Sequence, residues 1–216
     1  MLSSIMQKAV EAGIIDHVAA KHIRTTVCHQ VKWLTNKVLH GTYKTHDDDD
    51  PTMVCMFNSV LAKRNIQVSM NDIRECDRVK KSISQNLGNL WQRILGNAPG
   101  WRDLAIGDVS GCDIMHEEKK IYIEVKNKYN TMNSSSEEST IKKLLRQKEK
   151  GYAAYVGIIN GKPGAYGGGT QRKTKGGIEW LYGRDLFQVV YGADVMEYVM
   201  EEVRNEFAAQ LQTPST

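Results

Sequence analysis

Cysteine and proline are scarce in this sequence of 216 residues, which contains four of each. The cysteines are scattered, form no CxxC pair and have no clustered histidines beside them: Cys28, Cys55, Cys76 and Cys112. Such spacing argues against a zinc site and predicts reduced thiols in a cytoplasmic compartment. We therefore expect a protein of the prokaryotic cytoplasm or of the cytoplasm of a viral host.

Long apolar runs are also missing. No stretch approaches the length of a membrane-spanning helix, and residues 1–13 lack the basic-then-apolar order of a secretory signal. No membrane partner is therefore expected. A chain of 216 residues is long enough to bury a substantial core as one domain with a subdomain.

Positive charge gathers in the middle of the chain. Lys+Arg and Asp+Glu number 14 and 14 in residues 1–118, 13 and 4 in residues 119–175, and 2 and 7 in residues 176–216. A local basic surplus is the electrostatic footprint of nucleic-acid binding. The middle segment is therefore the part of the protein that is predicted to face a nucleic acid.

The same segment contains a strand with charges on one face. Residues 121–125 are mostly β-branched or aromatic, which is typical of a buried strand. Because side chains alternate along a strand, one face is polar and the other aliphatic: Tyr122, Glu124 and Lys126 against Ile121, Ile123 and Val125. Burying an unpaired charge costs free energy, so an acid and a base together on a half-buried face indicate a shared function.

Asp113 lies eleven residues before Glu124, and the polar stretch 116–120 between them is typical of a hairpin turn. If strands 112–116 and 120–126 pair antiparallel, the two carboxylates come close together. Carboxylates are hard oxygen ligands for Mg²⁺, which polarises a phosphodiester and lowers the pKa of a bound water. Lys126 would position or deprotonate that water. The pattern therefore predicts metal-assisted hydrolysis of nucleic acid, although an isolated Glu and Lys two residues apart are more often a surface ion pair.

Asp113 followed by Glu124-Val125-Lys126 resembles the signature of the PD-(D/E)xK nuclease superfamily. The longer run from Glu124 to Ser136, EVKNKYNTMNSSS, resembles type II restriction endonucleases of a group that cuts short GC-rich palindromes. One departure is Cys112, which stands where the family label has proline. The resemblance implies an α/β (α+β) fold with a restriction-endonuclease-like core, in which helices flank a central mixed sheet.

The resemblance also implies the activity and the partners. The implied activity is Mg²⁺-dependent cleavage of double-stranded DNA that leaves 5′-phosphate ends. The implied functional partner is a methyltransferase that protects the same DNA sequence. A palindromic site cut on both strands calls for a homodimer. Two alternatives remain open: a structure-specific repair or recombination nuclease on the same core, and a DNA-binding module without catalysis.

A helical region is predicted before this core. Apolar periodicity predicts helices from Ser3 or Ser4 to Gly13, over 19–40, over 51–63, from a cap at Ser69 or Asn71 to Lys81, and over 82–95, where Gly88 would permit close packing on the sheet. We divide the chain into a DNA-binding or dimerisation region, 1–81, and a nuclease core, 82–216. Related enzymes carry a glutamate in the last of these helices, and Gln92 is the predicted counterpart, as an auxiliary group that orients a metal-bound water.

Beyond Lys126 the sequence predicts a helix, a strand, a loop, a final strand and two further helices. Ser135 and Glu138 predict a capping box, and the outer face of that helix is basic: Lys142, Lys143, Arg146, Lys148 and Lys150. A strand over 152–159 gives the order β–β–α–β. The segment 160–177 contains seven glycines and is predicted to be a loop that orders on DNA, with a surface hairpin as the alternative. A strand over 178–182, a helix that begins at Gly183 and a terminal helix over 193–211 follow.

The predicted DNA contacts lie after Lys126 and in the glycine-rich loop. Asparagine and serine are versatile partners for phosphate oxygens and base edges, and arginine or lysine can read guanine. The predicted contacts are Asn127, Lys128, Asn130, Asn133, Ser134, Ser135, Arg172 and Lys173.

Overall fold

The structure is a computed structural model, and it describes residues 1–40, 56, 59–63, 66–104, 107–129, 132–161 and 172–212. Within these ranges the helices and strands follow in this order: α1 (Ser4–Glu11), α2 (His17–His40), α3 (Met70–Gly96), β1 (Trp101–Asp103), β2 (Ile114–His116), β3 (Ile121–Lys128), α4 (Ser134–Glu149), β4 (Ala153–Asn160), β5 (Arg172–Lys175), β6 (Ile178–Tyr182), α5 (Arg184–Tyr191) and α6 (Met196–Gln212).

The strands form one mixed sheet in the order β1-β2-β3-β4-β6-β5. β3, β4 and β6 run parallel, and the other neighbours pair antiparallel. The helix α4 connects β3 to the parallel β4, as the β–β–α–β prediction required. The predicted fold class is therefore confirmed, with a mixed sheet flanked by helices and a helical N-terminal region.

Each face of the sheet carries its own apolar layer. Ile123 and Val125 of β3 pack with the helices α1, α2, α3, α5 and α6. On the opposite face Leu144 of α4 packs on Val156 and Ile158 of β4, with Tyr122 of β3 at the edge of the cluster. The predicted alternation along 121–125 is confirmed, and it places Glu124 and Lys126 on the α4 side of the sheet.

The N-terminal helices largely follow the prediction. Ser3 caps α1 by accepting a hydrogen bond from the Met6 amide, and the chain leaves the helix at Gly13 with φ +66°. α2 covers the predicted range with two further residues at its start. Of the helix predicted over 51–63, residue 56 and residues 59–63 are helical, and the rest lies outside the described residues.

The predicted break between residues 81 and 82 is wrong, because α3 runs unbroken from Met70 to Gly96. Ser82 lies in the helix interior, where the Asn86 side-chain amide donates to its carbonyl oxygen at 2.7 Å. The packing role of Gly88 is also wrong, since a Cβ at this position would meet nothing within 4 Å. The predicted cap at Ser69 is confirmed, with a reciprocal capping box to Asp72. The division at 81/82 into two functional regions stays a prediction.

Two boundaries near the predicted DNA contacts differ from expectation. Asn133, rather than Ser135, caps α4, and its side chain accepts from the Ser136 amide at 2.9 Å. Arg172 to Lys175 form β5 and pair with β6, so the predicted loop ends earlier than expected. The remainder of that loop, 162–171, lies outside the described residues.

The C-terminal helix closes the core. Val199 and Val203 of α6 are buried among the helices, so the apolar stripe of this helix is covered within the chain. Trp101 is buried in this core, and its indole nitrogen donates to the Val190 carbonyl at 2.9 Å. Among the described residues, none of the helices has the combination of length and apolar character that crossing a membrane requires.

Candidate active site

The β2–β3 hairpin brings Asp113 and Glu124 together, as predicted. Ile114 faces Ile123 across the hairpin, so Asp113 lies beside the Glu124–Val125 step. The Asp113 amide donates to the Ile123 carbonyl at 3.2 Å, and its Oδ2 accepts from the Val125 amide at 2.7 Å. The backbone of the hairpin therefore fixes one oxygen of this carboxylate.

Glu124 is buried at 4% exposure and lies between two ammonium groups. Its Oε1 accepts from Lys126 Nζ at 2.6 Å, and its Oε2 lies 2.5 Å from Lys143 Nζ. Lys143 also donates to the Gly111 carbonyl, in the turn before β2. The three predicted catalytic residues thus converge, and a fourth charged side chain from α4 joins them.

Sequence reasoning did not select Lys143 as a site residue. α4 contains four basic residues and is followed by a fifth, Lys150, at its C-cap, and the sequence pattern identified their surface only as basic. Lys143 is the one whose ammonium lies against Glu124, while Lys142 pairs with Glu138 one turn earlier. The distinguishing signal is tertiary: it depends on how α4 crosses β3.

Burial and the charge of Glu124 raise the pKa of Asp113 to about 6. The ammonium of Lys126 and the hydrogen bond from the Val125 amide act in the opposite direction. Two carboxylates held close together in a partly desolvated position resist ionisation. Such a pair is favourable for binding a cation, because the cation relieves the repulsion.

We expect Asp113→Asn to stabilise the folded protein at pH 7 by about 1–2 kcal/mol, since one pKa unit is worth about 1.4 kcal/mol and partial hydration reduces the effect. Asparagine keeps an oxygen for the Val125 amide and removes the repulsion. Because the folded pKa of Asp113 is raised, ionising this group costs stability. That cost is absent below pH about 4, develops as the pH rises to about 6, and is complete above it.

Thermal denaturation of both proteins at several pH values measures this difference. The advantage of Asp113→Asn should shrink as the pH falls from 7 to 4. An Asp113→Asn protein that is less stable than the wild type at pH 7 would contradict the inferred cost of burying the Asp113 charge beside Glu124.

Cys112 occupies the position of the family's proline and is a core residue. It is buried at 4% exposure and packs in the same cluster as Leu144 and Met115. Burial and the nearby charge of Glu124 raise the pKa of its thiol to about 12. A thiol in this state is not a nucleophile at neutral pH.

Gln92 of α3 forms hydrogen bonds with the backbone next to the hairpin. Its side-chain amide nitrogen donates to Asp103 Oδ1 at 2.8 Å, to the Leu104 carbonyl at 3.1 Å and to the Asp113 carbonyl at 3.4 Å. These contacts join α3 to the end of β1 and to the residue that precedes β2. The predicted water-orienting role stays a prediction, whereas the contacts describe a residue that positions the backbone of Asp113.

The predicted DNA contacts lie in different environments. Asn127 is buried at 8% exposure, and its side-chain oxygen accepts from the side-chain nitrogen of Asn160 at 3.0 Å, so it links β3 to β4. Lys128 is exposed at the end of β3. Arg172 pairs with Glu179 at 3.1 Å. Asn133, Ser134, Ser135 and Lys173 are exposed, and Asn130 lies outside the described residues.

The donor set fits Mg²⁺. No three His, Cys, Asp or Glu side chains within the described ranges are grouped so as to hold a metal. Mg²⁺ needs no such group, because it binds through one or two carboxylates and retains several waters. Asp113 and Glu124 supply two hard oxygen ligands in a partly desolvated position, so they are suited to this ion and poorly suited to zinc.

The β2–β3 hairpin of the mixed sheet therefore carries two carboxylates and a lysine that lie close together. The Eco47II restriction endonuclease family matches residues 14–175, and the chain belongs to this family. The match extends from α2 through the hairpin and α4 to β5.

Two curated relatives share parts of this region. The type II restriction enzyme Eco47II of Escherichia coli is 33% identical over 127 residues, which cover 56% of this chain and 52% of that enzyme. The type II restriction enzyme Sau96I of Staphylococcus aureus is 24% identical over 111 residues, covering 46% and 42% respectively. The chain spans about half the length of these relatives. No solved structure matches it significantly.

Proposed function

We propose that this protein is a type II restriction endonuclease that hydrolyses a phosphodiester of double-stranded DNA at a specific short palindrome. The observation that carries the proposal is the convergence of Asp113, Glu124 and Lys126 on one hairpin of a chain that belongs to the Eco47II restriction endonuclease family. The relatives are type II restriction enzymes by name, and their activity is extended to this chain as part of the proposal.

Asp113 and Glu124 would hold Mg²⁺. When bound, Mg²⁺ supplies Lewis-acid stabilisation of the negative charge that develops on the phosphodiester. Water adds through its oxygen to phosphorus, and the bond from phosphorus to the 3′ oxygen breaks. That oxygen takes up a proton, which leaves a 3′-hydroxyl and a 5′-phosphate. Lys126, held by Glu124, positions or activates the attacking water and offsets phosphate charge.

The outer surface of α4 supports contact with the DNA backbone. A depression of about 280 Å³ on this helix combines hydroxyl and cationic side chains with one carboxylate: Ser135, Ser139, Lys142, Lys143, Arg146 and Glu138. Hydroxyl and cationic groups are the usual partners of phosphate oxygens. The exposed residues at the start of α4 and Lys173 on β5 would in turn contact the base edges of the DNA.

A palindromic target requires two equivalent active sites, so the protein acts as a homodimer. Its functional partner is a DNA methyltransferase that modifies the same sequence and protects the host DNA. Both would operate in the cytoplasm, where the incoming and host DNA are accessible. Together they would constitute a restriction-modification system.

Incubation of purified protein with unmethylated phage DNA tests this proposal. With Mg²⁺ we expect discrete fragments, and with EDTA intact DNA. Lys126→Ala should lose activity by on the order of 10²–10⁴-fold, the usual range for a group that assists proton transfer. The control is Lys119→Ala, which changes an exposed lysine in the turn of the same hairpin and should cut normally.

The form of the products decides between the alternatives. Discrete bands identify a site-specific enzyme, and sequencing their ends gives the recognition sequence and the overhang. A smear would instead favour a nuclease without sequence preference. Retarded but uncut DNA would favour a binding module and would overturn the proposed chemistry.

A further inference from the structure

Lys143 places a cationic group among oxygens of the kind that bind divalent cations. Its ammonium lies 2.5 Å from Glu124 Oε2 and donates to the Gly111 carbonyl. Carboxylate and carbonyl oxygens are hard ligands preferred by Mg²⁺ and Ca²⁺. Resting on the proposed function, we propose that Lys143 is an intramolecular counter-ion that competes with the divalent cation for Glu124 and withdraws when DNA binds.

The two oxygens of Glu124 differ in a way that suits this role. Lys126 donates a hydrogen bond to Oε1 at 2.6 Å from the same strand, two residues away. Oε2 is buried and lacks a hydrogen bond of good geometry from the described residues, so its contact with Lys143 is an ion pair. A cation can therefore replace Lys143 at Oε2 while Lys126 keeps its contact with Oε1.

The displaced ammonium has a position to move to. Lys143 also lines the depression on α4, together with Lys142, Arg146 and Ser139. A side chain that is 25% exposed can turn from Glu124 to this surface by rotating about its flexible stem. DNA phosphates on that surface would hold it there.

Coupling between DNA and the cation follows from this competition. DNA that draws Lys143 away from Glu124 frees one ligand oxygen and raises affinity for the cation. By thermodynamic linkage the cation raises affinity for DNA by the same factor. The free protein would consequently bind divalent cations weakly and acquire them together with its substrate.

Titration of the DNA-free protein with Mn²⁺, followed by calorimetry or by the electron paramagnetic resonance signal of free Mn²⁺, tests the proposal. Lys143→Met keeps much of the side-chain length and removes the charge. It should bind Mn²⁺ roughly tenfold more tightly than the wild type, because the ion no longer has to displace a charge-assisted contact. Lys142→Met, the matched control, removes the neighbouring exposed ammonium and should leave the Mn²⁺ affinity unchanged. Glu124→Gln should abolish the site with either residue at 143.

Equal or weaker Mn²⁺ binding by Lys143→Met would overturn the proposal, and so would the absence of binding by both proteins. Circular dichroism checks folding, and Lys143→Gln replaces Lys143→Met if the latter does not fold. Cleavage is measured separately. Tighter Mn²⁺ binding without any cleavage would refute the nuclease function and support the counter-ion, whereas cleavage with unchanged Mn²⁺ binding would refute the counter-ion alone.

Discussion

Glu124→Gln is expected to abolish DNA cleavage while leaving DNA binding intact. The substitution preserves the size of the side chain and removes the charge that faces Lys126 and Lys143. It also removes one of the two proposed ligands for Mg²⁺, an ion whose contribution to transition-state stabilisation is several kcal/mol. Because each 1.4 kcal/mol is about tenfold in rate, we expect a loss on the order of 10³-fold or more.

DNA affinity should hold or increase in the same variant. Removing one carboxylate from the basic side of the sheet increases the local positive charge, which strengthens the contribution of phosphate contacts. The effect should diminish as the salt concentration rises. If the variant binds DNA and does not cleave it, the loss of cleavage is not caused by unfolding, because an unfolded protein would lose DNA binding as well.

The measurement combines single-turnover cleavage of phage DNA in Mg²⁺ with gel retardation in EDTA, where no divalent cation contributes to DNA affinity. Glu117→Gln is the matched control, since it makes the same change at an exposed position in the turn of the same hairpin. Cleavage by Glu124→Gln within about tenfold of the wild-type rate, at equal folding, would mean that Glu124 is not a metal ligand.

The parts of the site predicted from the sequence are those determined by local geometry. Tyr122 to Lys126 alternate between the two faces of one strand, and a short turn connects that strand to Asp113. Both relationships follow from the pleat and from hairpin pairing, which act over a few residues. The convergence of Asp113 and Glu124 needed little information from the rest of the chain.

Lys143 and Gln92 required tertiary information. Each lies on a helix whose rotation about its own axis is set by apolar contacts with the rest of the core, such as those of Leu144 with β4. Helical periodicity indicates which side chains face the sheet and does not say which strand lies under a given turn. The contacts of Lys143 with Glu124 and of Gln92 with the Asp113 carbonyl arise from that placement.

The boundaries that were wrong have local causes. Asn133 is followed by three serines, and all four residues have side chains that can cap a helix, so composition alone does not select the cap. β5 has four exposed side chains, three of them cationic, and therefore has no apolar alternation to mark it as a strand. Cations on an edge strand discourage further pairing, which is consistent with its position at the end of the sheet.

Arg24→Met is expected to destabilise the protein by about 3 kcal/mol, the cost of leaving buried carboxylates without their cation. Arg24 Nη1 lies 2.6 Å from Glu202 Oε1 and 2.6 Å from Glu206 Oε2. The glutamates are one turn apart on α6 and almost fully buried, at 1% and 6% exposure. The arginine thus joins α2 to α6 and neutralises two carboxylates that would otherwise repel each other.

Other side chains also contact the two glutamates, and these contacts do not depend on Arg24. Ser3 donates to Glu202, so α1 is joined to the same group. Although burial raises the pKa of Glu206, hydrogen bonds from Gln210, Arg24 and Cys28 hold it below its ordinary value. A lowered carboxyl pKa contributes stability at neutral pH that is lost on acidification. The difference in free energy of unfolding between the wild type and Arg24→Met should therefore become smaller as the pH falls.

Thermal and urea denaturation at pH 7 measure the effect, and a loss of about 3 kcal/mol corresponds to a decrease in Tm of roughly 6–12 °C for a domain of this size. Lys142→Met is the control, because it breaks an ion pair whose side chains are 66% and 67% exposed and should cost about 0.5 kcal/mol or less. Replacing Arg24, Glu202 and Glu206 together by methionine should restore most of the stability, since no buried charge is then left unpaired. If Arg24→Met proves as mild as Lys142→Met, water must reach the two glutamates, and the connection between α2 and α6 rests on apolar packing alone.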